Sequence, residues 1–256
     1  MPDSLDWLPR IIGSLTLVAL AIGISRWQKV GLEKDMLIAV GRAFVQLIAI
    51  GYALDLIFGA KGPFWIWLVV GVMVGIAGYT AGQRGRGVLG SHRVATTAIS
   101  IGAILTLGLL MVLQVFPFEP RFIIPIAGMI VGNSMTVTGL VMARLRDDVK
   151  LQRAQIEAAL ALGATHRQAA SRQLQRALTT GMTPIVDNTK TVGLISLPGA
   201  MTGMILAGAS PLEAVQLQII VMYMLIGAAA FSGLTATFLT YQQFFTKAHQ
   251  LVLIEE

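Results

Sequence analysis

Cysteine is absent and charge is scarce. Without a cysteine among 256 residues, disulfides, thiolate metal sites and cysteine nucleophiles are excluded, and either redox environment is compatible with the chain. Charged residues make up 12%, about half the usual share, against 55% hydrophobic residues and a mean hydropathy of +0.74. So few polar side chains cannot cover the surface of a soluble globule. Histidine is also rare. His92, His166 and His249 all lie outside the apolar runs, which argues against a Ser–His hydrolase at membrane depth. No H-E-x-x-H motif occurs, and no G-x-x-x-x-G-K-[ST] loop that could cradle phosphates. The Gly- and Arg-rich stretch 82–90 lacks the lysine of such a loop. If ATP drives this protein, a second polypeptide must bind it.

What is present is apolar and continuous. A helix needs roughly 20 mostly apolar residues to cross a bilayer, and seven runs approach that length: 5–25, 36–58, 63–81, 94–116, 122–143, 182–207 and 215–241. The first is the weakest, because Asp6 and Arg10 interrupt it. The runs do not alternate in period two, which excludes strands. The expectation is an all-α, polytopic membrane protein of about seven transmembrane helices, forming a single transmembrane domain over 1–256. The start of the chain lacks a basic region and a cleavage site, so the first run is expected to remain as an anchor.

The net charge of +6 and the pI of about 10.0 do not call for nucleic acid, because cytoplasmic loops of membrane proteins collect Lys and Arg. Alternate loops here segregate fourteen basic residues from three, the minority being Arg10, Lys61 and Arg121. Lys247 falls with the majority. Seven spans with the N-terminus outside and the C-terminus in the cytoplasm fit this pattern.

Only one polar segment is long, residues 144–181. It is rich in helix formers and is interrupted at Gly163-Ala164-Thr165, so two helices are expected, the first ending near Leu162. In the second, Arg172 and Arg176 share a face, as do Leu174 and Leu178. A basic amphipathic helix of this kind can lie on anionic lipid.

Charged and polar groups inside apolar runs are functional candidates by default. Arg42 and Gln46 lie one turn apart, and Asp55 sits at the end of the same run. Asp187 and Lys190 are three residues apart, either a local pair or part of a pathway. Asn133 and Ser134 either bond between helices or line a path. Pro198 is expected to break or kink the sixth run, exposing carbonyls or acting as a hinge. Met129, Met135, Met201 and Met204 are weak candidates for a soft metal, and packing explains them as well. The pairs Gly71-x-x-x-Gly75 and Gly128-x-x-x-Gly132 are expected to let helices approach closely within the subunit.

The segment Glu157-Ala158-Ala159 followed by Gly163 resembles the E-A-A-x-x-x-G loop of ABC-transporter permeases. The importer-type I-x-L-P ending is replaced by Gln173-Leu174-Gln175, a departure from the binding-protein-dependent importers. With Arg42-x-x-x-Gln46-Leu47, the run from Pro125 to Met135 and the run from Ile195 to Gly208, the chain resembles the FetB/YbbM family of permeases. The resemblance covers about residues 42–243. It implies a homodimeric permease in a bacterial inner membrane, or a plastid or other organelle membrane in a eukaryote. It implies a separate FetA-like ABC ATPase subunit carrying ATP and Mg, and no cofactor in this chain. Glu157, Ala158, Ala159 and Gly163 would form the coupling helix that docks on the ATPase. Bacterial members are linked to iron export and peroxide resistance, plant relatives to aluminium tolerance, and UDP-glucose is a proposed cargo. A secondary transporter or channel is the alternative, with Asp187 and Lys190 its only ion-coupling candidates.

Overall fold

The computed structural model describes residues 7–59, 64–246 and 250–252. Lys61, Lys247 and His249 lie outside these. Ten helices follow one another among the described residues, and no strand does: α1 (Trp7–Trp27), α2 (Glu33–Gly59), α3 (Phe64–Arg84), α4 (Ser91–Val112), α5 (Pro120–Leu151), α6 (Arg153–Ala161), α7 (His166–Ala169), α8 (Ser171–Thr191), α9 (Gly199–Leu206) and α10 (Pro211–Gln242).

The chain divides into two compact units, Met1–Lys61 and Gly62–Glu256. In the first, α1 packs on α2 across a short turn. Lys29 and Gly31 take positive φ there, and the Ser25 hydroxyl donates to the Glu33 carboxylate at 2.9 Å.

The second unit is built around α3, α4, α5 and α10, with α8 laid against α5 and α10 and α9 against α10. Small residues set how close these helices come. A side chain at Gly78 would meet Thr96, and one at Gly82 would meet His92, so α3 and α4 nearly touch. At Gly102 an added Cβ would lie 2.8 Å from the Ser232 Cβ on α10. The expected close pairs behave otherwise: nothing lies within 4 Å of a Cβ at Gly71, Gly75 or Gly132, and Gly128 has only Met73 at 3.8 Å. All four glycines of α3 share one face, but the close approach to α4 falls at Gly78 and Gly82, while beside Gly71 the two helices leave a cleft.

Five of the described helices are long and apolar enough to cross a membrane: α2 over Glu33–Asp55, then α3, α4, α5 and α10. The apolar part of α1, Ile12–Trp27, is shorter. The expected sixth run, 182–207, is not one helix. It is shared between the end of α8 and all of α9, separated by a turn at 192–198. Gly193 takes a φ of 80° in that turn, Gly193 N–H donates to the Ser196 carbonyl at 2.9 Å, and Pro198 caps α9 in extended conformation. Helix α8 itself begins in the polar segment and crosses the expected boundary. Its buried stripe, Gln173, Ala177, Gly181 and Ile185, recurs every four residues and faces the core. Packing, not hydropathy, holds it.

Helices α5 and α10 each have 32 residues, about 48 Å of helix against a hydrocarbon core of about 30 Å. One end of α5 therefore carries the polar residues 144–151 as a rigid extension of an apolar helix.

Candidate site at the polar helical segment

The extension of α5 is held by charge. Arg144 Nε lies 3.2 Å from Asp148 Oδ2, and Asp148 is buried. Arg146 donates to the Arg86 carbonyl at 2.6 Å and pairs with Asp147 at 2.7 Å. That ties α5 to the loop between α3 and α4.

Helix α6 follows after a single residue, Gln152. Ile156 is fully buried and anchors its inner face. Gln173 of α8, only 3% exposed, donates its amide to the Gln152 side-chain oxygen at 2.8 Å. The outer face carries Glu157 and Ala158, both exposed, with Ala159 half-buried. Arg153 donates to Glu157 at 2.7 Å, one helical turn away.

The end of α6 is a Schellman turn. Gly163 N–H donates to the Leu160 carbonyl at 3.0 Å and Ala164 N–H to the Ala159 carbonyl at 3.1 Å. Gly163 takes a φ of 89°, a conformation costing an L side chain roughly 1–2 kcal/mol. The glycine of the E-A-A-x-x-x-G pattern is therefore a backbone requirement. Thr165 then opens α7 with a capping box: Gln168 N–H donates to the Thr165 hydroxyl at 3.3 Å, and Thr165 N–H to the Gln168 side chain at 2.9 Å. The same grammar recurs after α9, where Gly208 (φ 94°) closes the helix and Ser210 opens α10 with Glu213. Finally His166 stacks on Tyr241 of α10, with ring centres 5.4 Å apart. The segment is fixed to α5, α8 and α10, yet it leaves Leu162 90% and Leu151 81% exposed.

A polar cleft of about 510 Å³ separates α6 from α8, lined in part by Gln155, Ala159, Gln168, Arg172 and Arg176. No His, Cys, Asp or Glu group able to hold a metal ion occurs among the described residues.

A family model, described as the uncharacterised protein family UPF0014, matches residues 8–245. The chain belongs to the UPF0014 family. It is 54% identical over 240 residues to the UPF0014 membrane protein STAR2 of Oryza sativa subsp. japonica, covering 94% of this chain and 84% of the relative. It is 55% identical over 238 residues to the protein ALUMINUM SENSITIVE 3 of Arabidopsis thaliana, covering 93% and 87%. It is 40% identical over 242 residues to the probable iron export permease protein FetB of Escherichia coli (strain K12), covering 94% and 93%. No solved structure matches.

The other sequence candidates are scattered through this UPF0014 fold. Arg42 and Gln46 are exposed on α2, in the first unit. Asn133 donates to the Leu225 carbonyl at 2.9 Å, bonding α5 to α10. Ser134 is buried, its hydroxyl without a partner among the described residues. Asp187 and Lys190 form an exposed pair at 3.2 Å on α8. Met129 and Met135 lie on α5, Met201 and Met204 on α9, all half-buried.

Sequence reading missed Gln218. It is a buried amide in the apolar run of α10, its oxygen unpartnered among the described residues. It lines a cleft of about 420 Å³ with Thr189, Met201, Met222 and Tyr223, beside the 192–198 turn. A polar group inside an apolar run is itself the signal that could have found it.

Proposed function

We propose that this chain is the permease subunit of an ABC transporter exporting iron or a related metal, driven by a separate FetA-like ATP-binding subunit. The family and the name of the E. coli relative support the reading. The observation that carries it is the outward face of α6. Glu157, Ala158 and Leu162 are exposed on a segment fixed at its base to three long helices. An exposed leucine leaves about 1.5–3 kcal/mol of burial free energy unrealised until a partner covers it. A small-residue face admits that partner closely, and Glu157 offers it a carboxylate.

On this reading α6 and the Gly163 turn form the coupling helix. ATP and Mg are held by the partner, and motion at α6 passes to the membrane through α5, α8 and α10. Two permease chains face two ATPases, the seven hydrophobic runs cross the membrane, and the C-terminus lies in the cytoplasm with α6. Asn133, Ser134 and the break before Pro198 line the cargo path.

The test is co-expression with the ATPase subunit in lipid nanodiscs. Glu157→Lys and Gly163→Val are expected to insert normally and to lose cargo-stimulated ATP hydrolysis by roughly tenfold or more, the equivalent of about 1.4 kcal/mol of coupling. Unchanged stimulation in both variants would contradict the coupling role.

A further inference from the structure

Helices α8 and α10 enclose a second cleft, of about 340 Å³, on a different face of α8 from the polar one. Arg167, Ser171, Leu174 and Leu178 line one wall, and Phe238 and Tyr241 the other. Ser171, Leu174 and Leu178 follow one face of α8 at spacings of three and four residues, and Arg167 is added from α7. One end is cationic and polar, and the rest is mostly carbon, with Gln175 and Thr237 the other polar residues lining it. Arg167 has no acidic partner among the described residues. Tyr241 is 4% exposed, and its hydroxyl has no hydrogen-bond partner among the described residues. A buried hydroxyl without a partner is unfavourable, and an acceptor brought by a ligand would relieve it. His166 stacked on the same ring holds it in place.

The position suits an amphiphile. Tyr241 stands where the apolar run of α10 gives way to Gln242 and Gln243, the level at which aromatic rings meet lipid headgroups. We propose that this cleft binds one anionic phospholipid. Its phosphate is held by Arg167, Ser171 and the Tyr241 hydroxyl, and an acyl chain lies along Leu174, Leu178 and Phe238. The site places a lipid against α7, beside the segment read as the coupling helix, but does not depend on that reading.

The experiment is native mass spectrometry of the full chain in detergent, titrated with phosphatidylglycerol, with phosphatidylcholine and inorganic phosphate as comparison probes. One phosphatidylglycerol should bind per chain, more tightly than phosphatidylcholine and without competition from millimolar phosphate. Losing a charge-assisted hydrogen bond to phosphate should weaken binding roughly tenfold in Arg167→Gln. Tyr241→Phe keeps the ring and its stacking and should weaken binding several-fold. Arg172→Gln, in the other cleft, should not change it. Unaltered affinity in both Arg167→Gln and Tyr241→Phe would overturn the proposal. So would an equal loss in Arg172→Gln, or displacement by inorganic phosphate alone.

Discussion

Gly82 and Gly163 are both required, for opposite reasons. At Gly82 the obstacle to a side chain is His92 on the neighbouring helix, whereas at Gly163 space is open and the backbone conformation is the obstacle. Gly82→Val should therefore separate α3 from α4 and destabilise the chain by about 1–3 kcal/mol, an overpacking cost. Gly75→Ala should cost nothing, since no atom lies within 4 Å of the new methyl. Thermal unfolding of the purified chain in detergent, followed by circular dichroism, distinguishes the two. Equal loss in both would contradict the packing described. The sequence marked small residues correctly and chose the wrong pair, because Gly71-x-x-x-Gly75 and Gly78-x-x-x-Gly82 share one spacing. Where along their shared face α4 comes close is a tertiary fact. At Gly163 the turn was legible, since a helix-forming stretch stops at Gly-Ala-Thr and the stop is local chemistry.

Among the elements, α8 separates local from tertiary information most clearly. Its C-terminal neighbourhood was readable: Pro198 announces a break, and the chain does leave the helix between Thr191 and Gly199. Its start and burial were not. A helix with Arg172, Arg176, Asp187 and Lys190 reads as half loop and half span, yet it is one element because its four-residue stripe fits against α5. A side chain at Gly181 would meet Val141 and the Val137 backbone. Gly181→Leu is thus expected to lift α8 from α5 and raise amide hydrogen exchange along 171–185 by roughly tenfold or more, the equivalent of about 1.4 kcal/mol of lost packing. Exchange unchanged from the parent chain would show that α8 is held by something other than this contact. The two helix junctions Gly163–Gln168 and Gly208–Glu213 show local grammar at its most legible. Each pairs a left-handed glycine with a Ser or Thr cap and a Gln or Glu three residues on.

For the whole molecule, the all-α membrane class followed from composition, because a chain with so few charges has no polar coat to fold behind. The count of crossing helices was less legible. Hydropathy cannot tell a continuous span from an interrupted one, and the run 182–207 is interrupted at 192–198. Nor could it rank the polar candidates, since Gln218 stands beside Gln216 at the start of its run and only packing buries it. The central claim is that the outer face of α6 receives an ATP-binding subunit. The natural absence of cysteine makes this directly measurable, because a single introduced thiol is the only one in the chain. Leu162→Cys at the end of α6 and Leu212→Cys at the start of α10 both begin exposed, at 90% and 69% for the parent leucines, and both lie outside the apolar runs. In the assembled complex, maleimide labelling at position 162 should fall at least tenfold relative to the permease alone, while labelling at 212 should not change. Equal labelling at 162 with and without the bound ATPase, or failure of the two chains to form a complex, would contradict the account.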